Sequence, residues 1–179
     1  MGKFDVAQVC LNGHPTNSTM IESPEFNKSF CPVCGAKTIN ACSACNHAIQ
    51  GEYKVEGVVD LSYVYDPTAF CQSCGEPFPW TSRRIKAAID LAESELEEAD
   101  KEVFEQNVGE LVTDSPQTKV AAARIKKILT KVGTTFGESI RDILVDVASE
   151  TAKKIIWGQY RYTICYECSR RLILRPQDL

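Results

Sequence analysis

Eight side chains in the N-terminal half have the types and spacing of metal ligands. They fall in four pairs: Cys10-Leu-Asn-Gly-His14, Cys31-Pro-Val-Cys34, Cys42-Ser-Ala-Cys45 and Cys71-Gln-Ser-Cys74. A tetrahedral zinc ion takes four nitrogen or sulfur donors, and a short spacer lets one tight turn deliver two of them. The residue after the second cysteine often needs a left-handed backbone, which glycine adopts freely and asparagine tolerably. Gly35, Asn46 and Gly75 stand at those positions, and Asn12-Gly13 serves the first turn. The chain has 9 cysteines, an odd number, and no basic start followed by an apolar run. That combination favours metal over disulfides and predicts two zinc ions per chain.

Pairing in chain order joins Cys10 and His14 with Cys31 and Cys34, then Cys42 and Cys45 with Cys71 and Cys74. The intervening spacers of 16 and 25 residues suit two zinc ribbons. Interleaved pairing would build a cross-brace of the ubiquitin-ligase type, but such modules usually carry their histidine in the middle of the ligand series. His47 is surplus, and the expectation is an exposed or supporting imidazole. Cys165-Tyr-Glu-Cys168 lies between strand-like flanks and reads as a hairpin holding half a zinc site, with no partner pair in the chain. Free thiols, a third zinc ion shared with another chain, exchange into one of the other sites and a redox pair stay open there.

No constellation for catalysis accompanies these residues. Both expected sites are filled by protein donors, whereas a catalytic zinc keeps an open position. The deaminase pattern is absent, since His14 is followed by Pro15-Thr16 and no C-x-x-C follows a proline. The chain also lacks a G-x-S-x-G elbow, a phosphate-binding glycine loop and a His-Glu-x-x-His.

The elements that must carry the sites are of two kinds. Residues 1–80 read as a double zinc-ribbon domain of short β-hairpins, 81–157 as a helical domain, and 158–179 as a C-terminal hairpin, which makes the fold class α+β. In Glu76-Pro-Phe-Pro-Trp-Thr-Ser82 two prolines argue against a regular element, and Phe78 and Trp80 are expected to pack the ribbons onto the helices. Four helices follow. The first starts after a Thr81 or Ser82 cap and carries Ile85, Ala88, Ile89 and Ala92. The second, over about 95–111, buries Leu96, Val103, Phe104, Val108 and Leu111. The third has Ser115 as cap, Pro116 at its first position, a stripe from Val120 to Val132 and Gly133 as its stop. The fourth runs from about Phe136 to Ile156.

Charge is unevenly spread. Residues 1–80 carry 4 basic and 8 acidic side chains, residues 81–114 carry 4 and 10, and residues 115–179 carry 12 and 6, for a net −4. Coordinated thiols are deprotonated, so two loaded sites would bring the net charge to about −7. That argues against non-specific nucleic-acid binding by the whole chain. Lys119, Arg124, Lys126, Lys127 and Lys131 still make the third helix basic, and Arg161, Arg170, Arg171 and Arg175 lie in the C-terminal hairpin, so a nucleic-acid-binding regulatory protein using that helix and hairpin remains the second reading.

The ligand pairs, Phe70-Cys-Gln-Ser-Cys-Gly-Glu-Pro-Phe-Pro-Trp-Thr81 and the helical segments behind them are similar to an uncharacterised bacterial zinc-ribbon family, domain-of-unknown-function family 2321, over about residues 6–157. Pro79-Trp80-Thr81 is the most specific stretch. The resemblance implies a bacterial cytoplasmic protein with ribbons joined to helices, and no known activity. The expectation is therefore a non-enzymatic, zinc-binding interaction or adaptor module. It would dock a protein partner or a second copy through its helical half, without contact to a membrane.

Overall fold

The ligand pairs fold into turns because of their backbones. The computed structural model describes residues 2–55, 57 and 64–158. Three turns repeat one design, each closed by a single β-bridge: Phe30 with Lys37, Ala41 with Ala48, and Phe70 with Pro77. Inside each loop the first cysteine N–H donates to the carbonyl five residues on: Cys31 to Ala36 at 2.8 Å, Cys42 to His47 at 2.8 Å, Cys71 to Glu76 at 2.9 Å. Gly35, Asn46 and Gly75 return an N–H to that cysteine's carbonyl. They do so at φ +70°, +58° and +77°, the left-handed conformation the turn demands.

Five short strands frame these loops: β1 Lys3–Val6, β2 Gln8–Cys10, β3 Pro15–Asn17, β4 Thr38–Ile39 and β5 Gln50–Lys54. β1 pairs antiparallel with β5, with Phe4 opposite Tyr53. β2 lies between β3 and β4, both antiparallel, with Cys10 opposite Thr38. The longest strand has five residues. Sheets of this size are marginal without other support.

The helices are α1 Pro79–Glu95, α2 Glu98–Val108, α3 Pro116–Val132, α4 Thr134–Leu144 and α5 Glu150–Trp157, with a 3-10 turn at Gly109–Val112. The α+β class is as expected from the sequence, with three departures in detail. First, α1 begins at Pro79 rather than after Thr81, because proline at the first helical position gives up no hydrogen bond that the helix needs. Second, the expected fourth helix is two helices. Ser149 donates its N–H to the Leu111 carbonyl at 2.7 Å, outside the helical ladder, and its hydroxyl accepts from Ala152 N at 3.2 Å to cap α5. Third, Val120, the first residue of the stripe expected on the third helix, is 52 % exposed on α3. α3 itself runs from Pro116 to Gly133, where φ is +105°.

The buried apolar residues form one connected cluster, from Ala7 and Val9 through Phe78 and Trp80 to Phe104, Ile125, Ile140 and Ile156. Phe78 and Trp80 are both buried and stacked, with ring centroids 4.6 Å apart. No helix among the described residues is long and apolar enough to cross a membrane. The expected C-terminal hairpin, with Cys165 and Cys168, lies outside the described residues.

Candidate metal centres

Two clusters of four donors come together. Cys10, His14, Cys31 and Cys34 form the first, and Cys42, Cys45, Cys71 and Cys74 the second, with the donor atoms of each within 4.8 Å of one another. The grouping follows chain order, so the interleaved cross-brace is not formed. In every pair the first member is buried: Cys10, Cys31, Cys42 and Cys71 lie inside, while Cys34, Cys45 and Cys74 are exposed. Each knuckle thus anchors one sulfur in the fold and presents the second at its tip. His47 is exposed and belongs to neither cluster.

The spacings test what could sit at each centre. Metal–sulfur bonds of about 2.3 Å in a tetrahedron give S···S edges of about 3.8 Å, and with an imidazole nitrogen S···N edges of about 3.6 Å. In the first cluster Cys10 Sγ lies 3.7 Å from Cys34 Sγ. His14 Nδ1 lies 3.5, 3.3 and 3.7 Å from the sulfurs of Cys10, Cys34 and Cys31. In the second, Cys42 is 3.8 Å from Cys74, and Cys45 is 3.6 Å from Cys71. A disulfide would need about 2.05 Å. The donors are spaced as the corners of two tetrahedra that could each hold a metal ion, and His14 faces its centre with Nδ1.

Electrostatics point the same way. The N–H groups of Cys74 and Ser73 pull the Cys71 thiol down to about 6. The Glu76 N–H favours the Cys74 thiolate, but Cys45, burial and the remaining sulfurs outweigh it and push that thiol up to about 12. Neighbouring thiols driven in opposite directions are the signature of like charges sharing a small volume. A divalent cation removes the conflict by letting all four ionise. In the first cluster the Ala36 N–H, with help from His14 and Asn12, brings Cys34 down to about 6. Burial pushes Cys10 up against the N–H groups of Asn12 and His14, which lie 3.4 and 3.3 Å from its sulfur.

A supporting layer fixes both clusters to α1. Asn12 Nδ2 donates to Cys34 Sγ at 3.4 Å, and Arg83 on α1 donates to Asn12 Oδ1 at 2.7 Å. Gly13, at φ +92°, packs closely on α1, since a Cβ there would sit 3.1 Å from Cβ of Trp80, tighter than most such contacts. On the other side Trp80 Nε1 donates to the Thr68 carbonyl at 3.1 Å and Thr81 Oγ1 to the Ala69 carbonyl at 2.7 Å, just ahead of Cys71. Pro79-Trp80-Thr81 is therefore the clasp between ligand turns and helices. Sequence reading assigned Asn12 to a turn and missed its contact with Cys34. Arg83 gave no signal at all, because it meets Asn12 from 71 positions away.

These features define a small α+β protein in which two clusters suited to metal are pinned to a helical array. The chain belongs to the family described as uncharacterized protein conserved in bacteria (DUF2321), whose model matches residues 3–156. No curated protein matches the chain, and no solved structure does.

Proposed function

We propose that the protein is a non-enzymatic interaction module held in shape by two structural zinc ions. The observation that carries this reading is that each cluster supplies four protein donors at tetrahedral spacing, so a bound ion has no free corner for water or substrate. Zinc suits both donor sets, three thiolates with one imidazole and four thiolates. The docking surface is on the ribbon half rather than the helical half. Among the described residues, eight of the nine exposed large hydrophobic side chains fall between Phe4 and Val64, and Val120 is the ninth. Phe4 and Tyr53 pack together, 4.8 Å between ring centroids, and both remain half exposed.

The test is metal analysis of the purified chain together with identification of its partners in a native pull-down. About two zinc ions per chain are expected, one for each donor set. A specific partner should be lost in Phe4→Ser/Tyr53→Ser with the zinc content unchanged. Turnover of a substrate that disappears on a single point change would overturn the reading, as would a protein free of metal. Nucleic-acid binding through α3 is less well supported. Lys131 pairs with Asp100 at 2.9 Å and Arg124 donates to Asn107 at 3.2 Å, which commits two of the five basic side chains to α2.

A further inference from the structure

The two clusters differ in donor set and in what shields their sulfurs. The first has three thiols and one imidazole, the second four thiols. Loaded with a divalent cation, they carry charges of about −1 and about −2. In the first cluster the exposed sulfur, that of Cys34, accepts the Asn12 side-chain amide at 3.4 Å, and the Arg83 guanidinium stands behind Asn12 at 2.7 Å. An N–H donor and a nearby cation hold charge on a thiolate and make it a weaker nucleophile. Among the described residues, the side chains within hydrogen-bond distance of a sulfur in the second cluster are its own cysteines. Cys45 and Cys74 are exposed there, and each has a buried sulfur of the other knuckle in reach: Cys45 with Cys71 at 3.6 Å, Cys74 with Cys42 at 3.8 Å. The second cluster also adjoins the seam with the helices. Trp80 and Thr81 donate to the carbonyls of Thr68 and Ala69, just ahead of Cys71, and Trp80 is buried.

We propose that the second cluster is an oxidation site for hydroperoxides, joining Cys45 to Cys71, and that its oxidation frees the metal and loosens Trp80 from the seam. This rests on the reading that both clusters hold zinc. The Cys45 thiolate attacks one peroxide oxygen and the O–O bond breaks. The departing oxygen takes a proton, and a sulfenic acid remains on Cys45. The Cys71 thiolate then attacks that sulfur, the S–S bond forms, and hydroxide leaves to become water with a second proton. The two cysteines lose two electrons and the peroxide gains them. With two of its four donors gone, the ion departs. The first cluster has one thiolate fewer and Asn12 on its exposed sulfur, so it reacts later.

The test uses the full-length chain carrying Cys165→Ser/Cys168→Ser and Trp157→Phe, which leaves the seven cluster cysteines and Trp80 as the one tryptophan. Metal analysis comes first. A chain without zinc sinks the zinc reading and the proposal with it, whereas the outcomes that follow sink the proposal alone. Hydrogen peroxide is added, and released zinc is followed with a chromogenic chelator. One ion per chain should leave at least ~10-fold faster than the other. Peptide mapping at that point should find a Cys45–Cys71 disulfide, with Cys10, Cys31 and Cys34 still open to alkylation. Trp80 emission should move to longer wavelength as the first ion leaves, and dithiothreitol with added zinc should reverse both changes. Asn12→Ala keeps every donor and should speed release from the first cluster about fivefold, with the second cluster unaffected. The proposal is overturned if the two ions leave together, if the first cluster oxidises first, or if Cys45 enters no disulfide. It is equally overturned if Trp80 emission stays unchanged through the loss of the first ion, or if Asn12→Ala leaves the first cluster's rate as it was.

Discussion

The ribbon half and the helical half are stabilised by different physics. Up to Phe78 the described chain buries eight hydrophobic residues, and four of them are the cysteines Cys10, Cys31, Cys42 and Cys71. From Trp80 onward it buries 20, nearly all aliphatic or aromatic. Strands of two to five residues cannot enclose an apolar core of useful size, so the first half depends on its donor clusters. The second half follows the ordinary rule of amphipathic helices packed by their stripes. The lesson is that one connected core can join a region built around donor clusters that could hold metal to a region ordered by burial.

Metal removal should break the comparison most severely. Structural zinc in small domains contributes apparent binding free energies of about 10–16 kcal/mol at neutral pH, most of it expressed as folding. A strong chelator should abolish hydrogen-exchange protection at Cys31, Cys42 and Cys71, whose amides close the knuckles, while those of α3 stay protected. Cys74→Ser should lose one ion per chain and unfold its own knuckle. Equal loss of protection in α3 would show that the halves do not differ in the way argued. The converse experiment is Ile125→Ala, at a position fully buried on α3. It should cost about 2–5 kcal/mol in denaturant unfolding while leaving both ions bound.

The seam offers a smaller and sharper test. Thr81 is wholly buried, and its hydroxyl satisfies the Ala69 carbonyl beside the second cluster. Thr81→Val keeps the shape and removes one of the two hydrogen bonds to that carbonyl, which still accepts the Phe78 N–H at 3.0 Å, at a cost of about 1 kcal/mol. The ion of the second cluster should then pass to a chelator faster, with the first cluster unaffected. Uniform release from both would mean that the clasp does not act locally.

The two halves were also unequally legible in the sequence. The ligand pairs could be read because a knuckle is a local object: Cys31-Pro-Val-Cys34-Gly35 contains both donors and the residue that reverses the chain. The start and stop of α3 could be read for the same reason, through Ser115-Pro116 and Gly133. What escaped depends on distant partners. The break between α4 and α5 needs the Leu111 carbonyl to accept from Ser149, although Ser149-Glu150-Thr151 does carry a cap signal within the apolar period. The exposed Val120 shows that an apolar stripe can be one residue wider than the surface it meets. Arg83 reaching Asn12, and Asn12 reaching Cys34, belong to packing that no local pattern encodes.

The smallest effect sharpens the comparison furthest, because it reverses sign between the halves. Gly35 and Gly137 are alike in one respect: a Cβ built on either meets nothing within 4 Å. They differ in backbone. Gly35 sits at φ +70° at the end of a knuckle, and Gly137 lies within α4 without a positive φ. Gly35→Ala forces an L side chain into the left-handed region and should destabilise by about 1–2 kcal/mol, read as weaker metal retention by the first cluster. Gly137→Ala removes backbone freedom from the unfolded chain and suits a helix interior. It should stabilise by about 0.5–1 kcal/mol and raise the unfolding midpoint with metal content unchanged. Since steric room is equal at the two sites, opposite signs would isolate backbone conformation as the cause. Matching signs would show instead that glycine in the knuckle answers to something other than the turn.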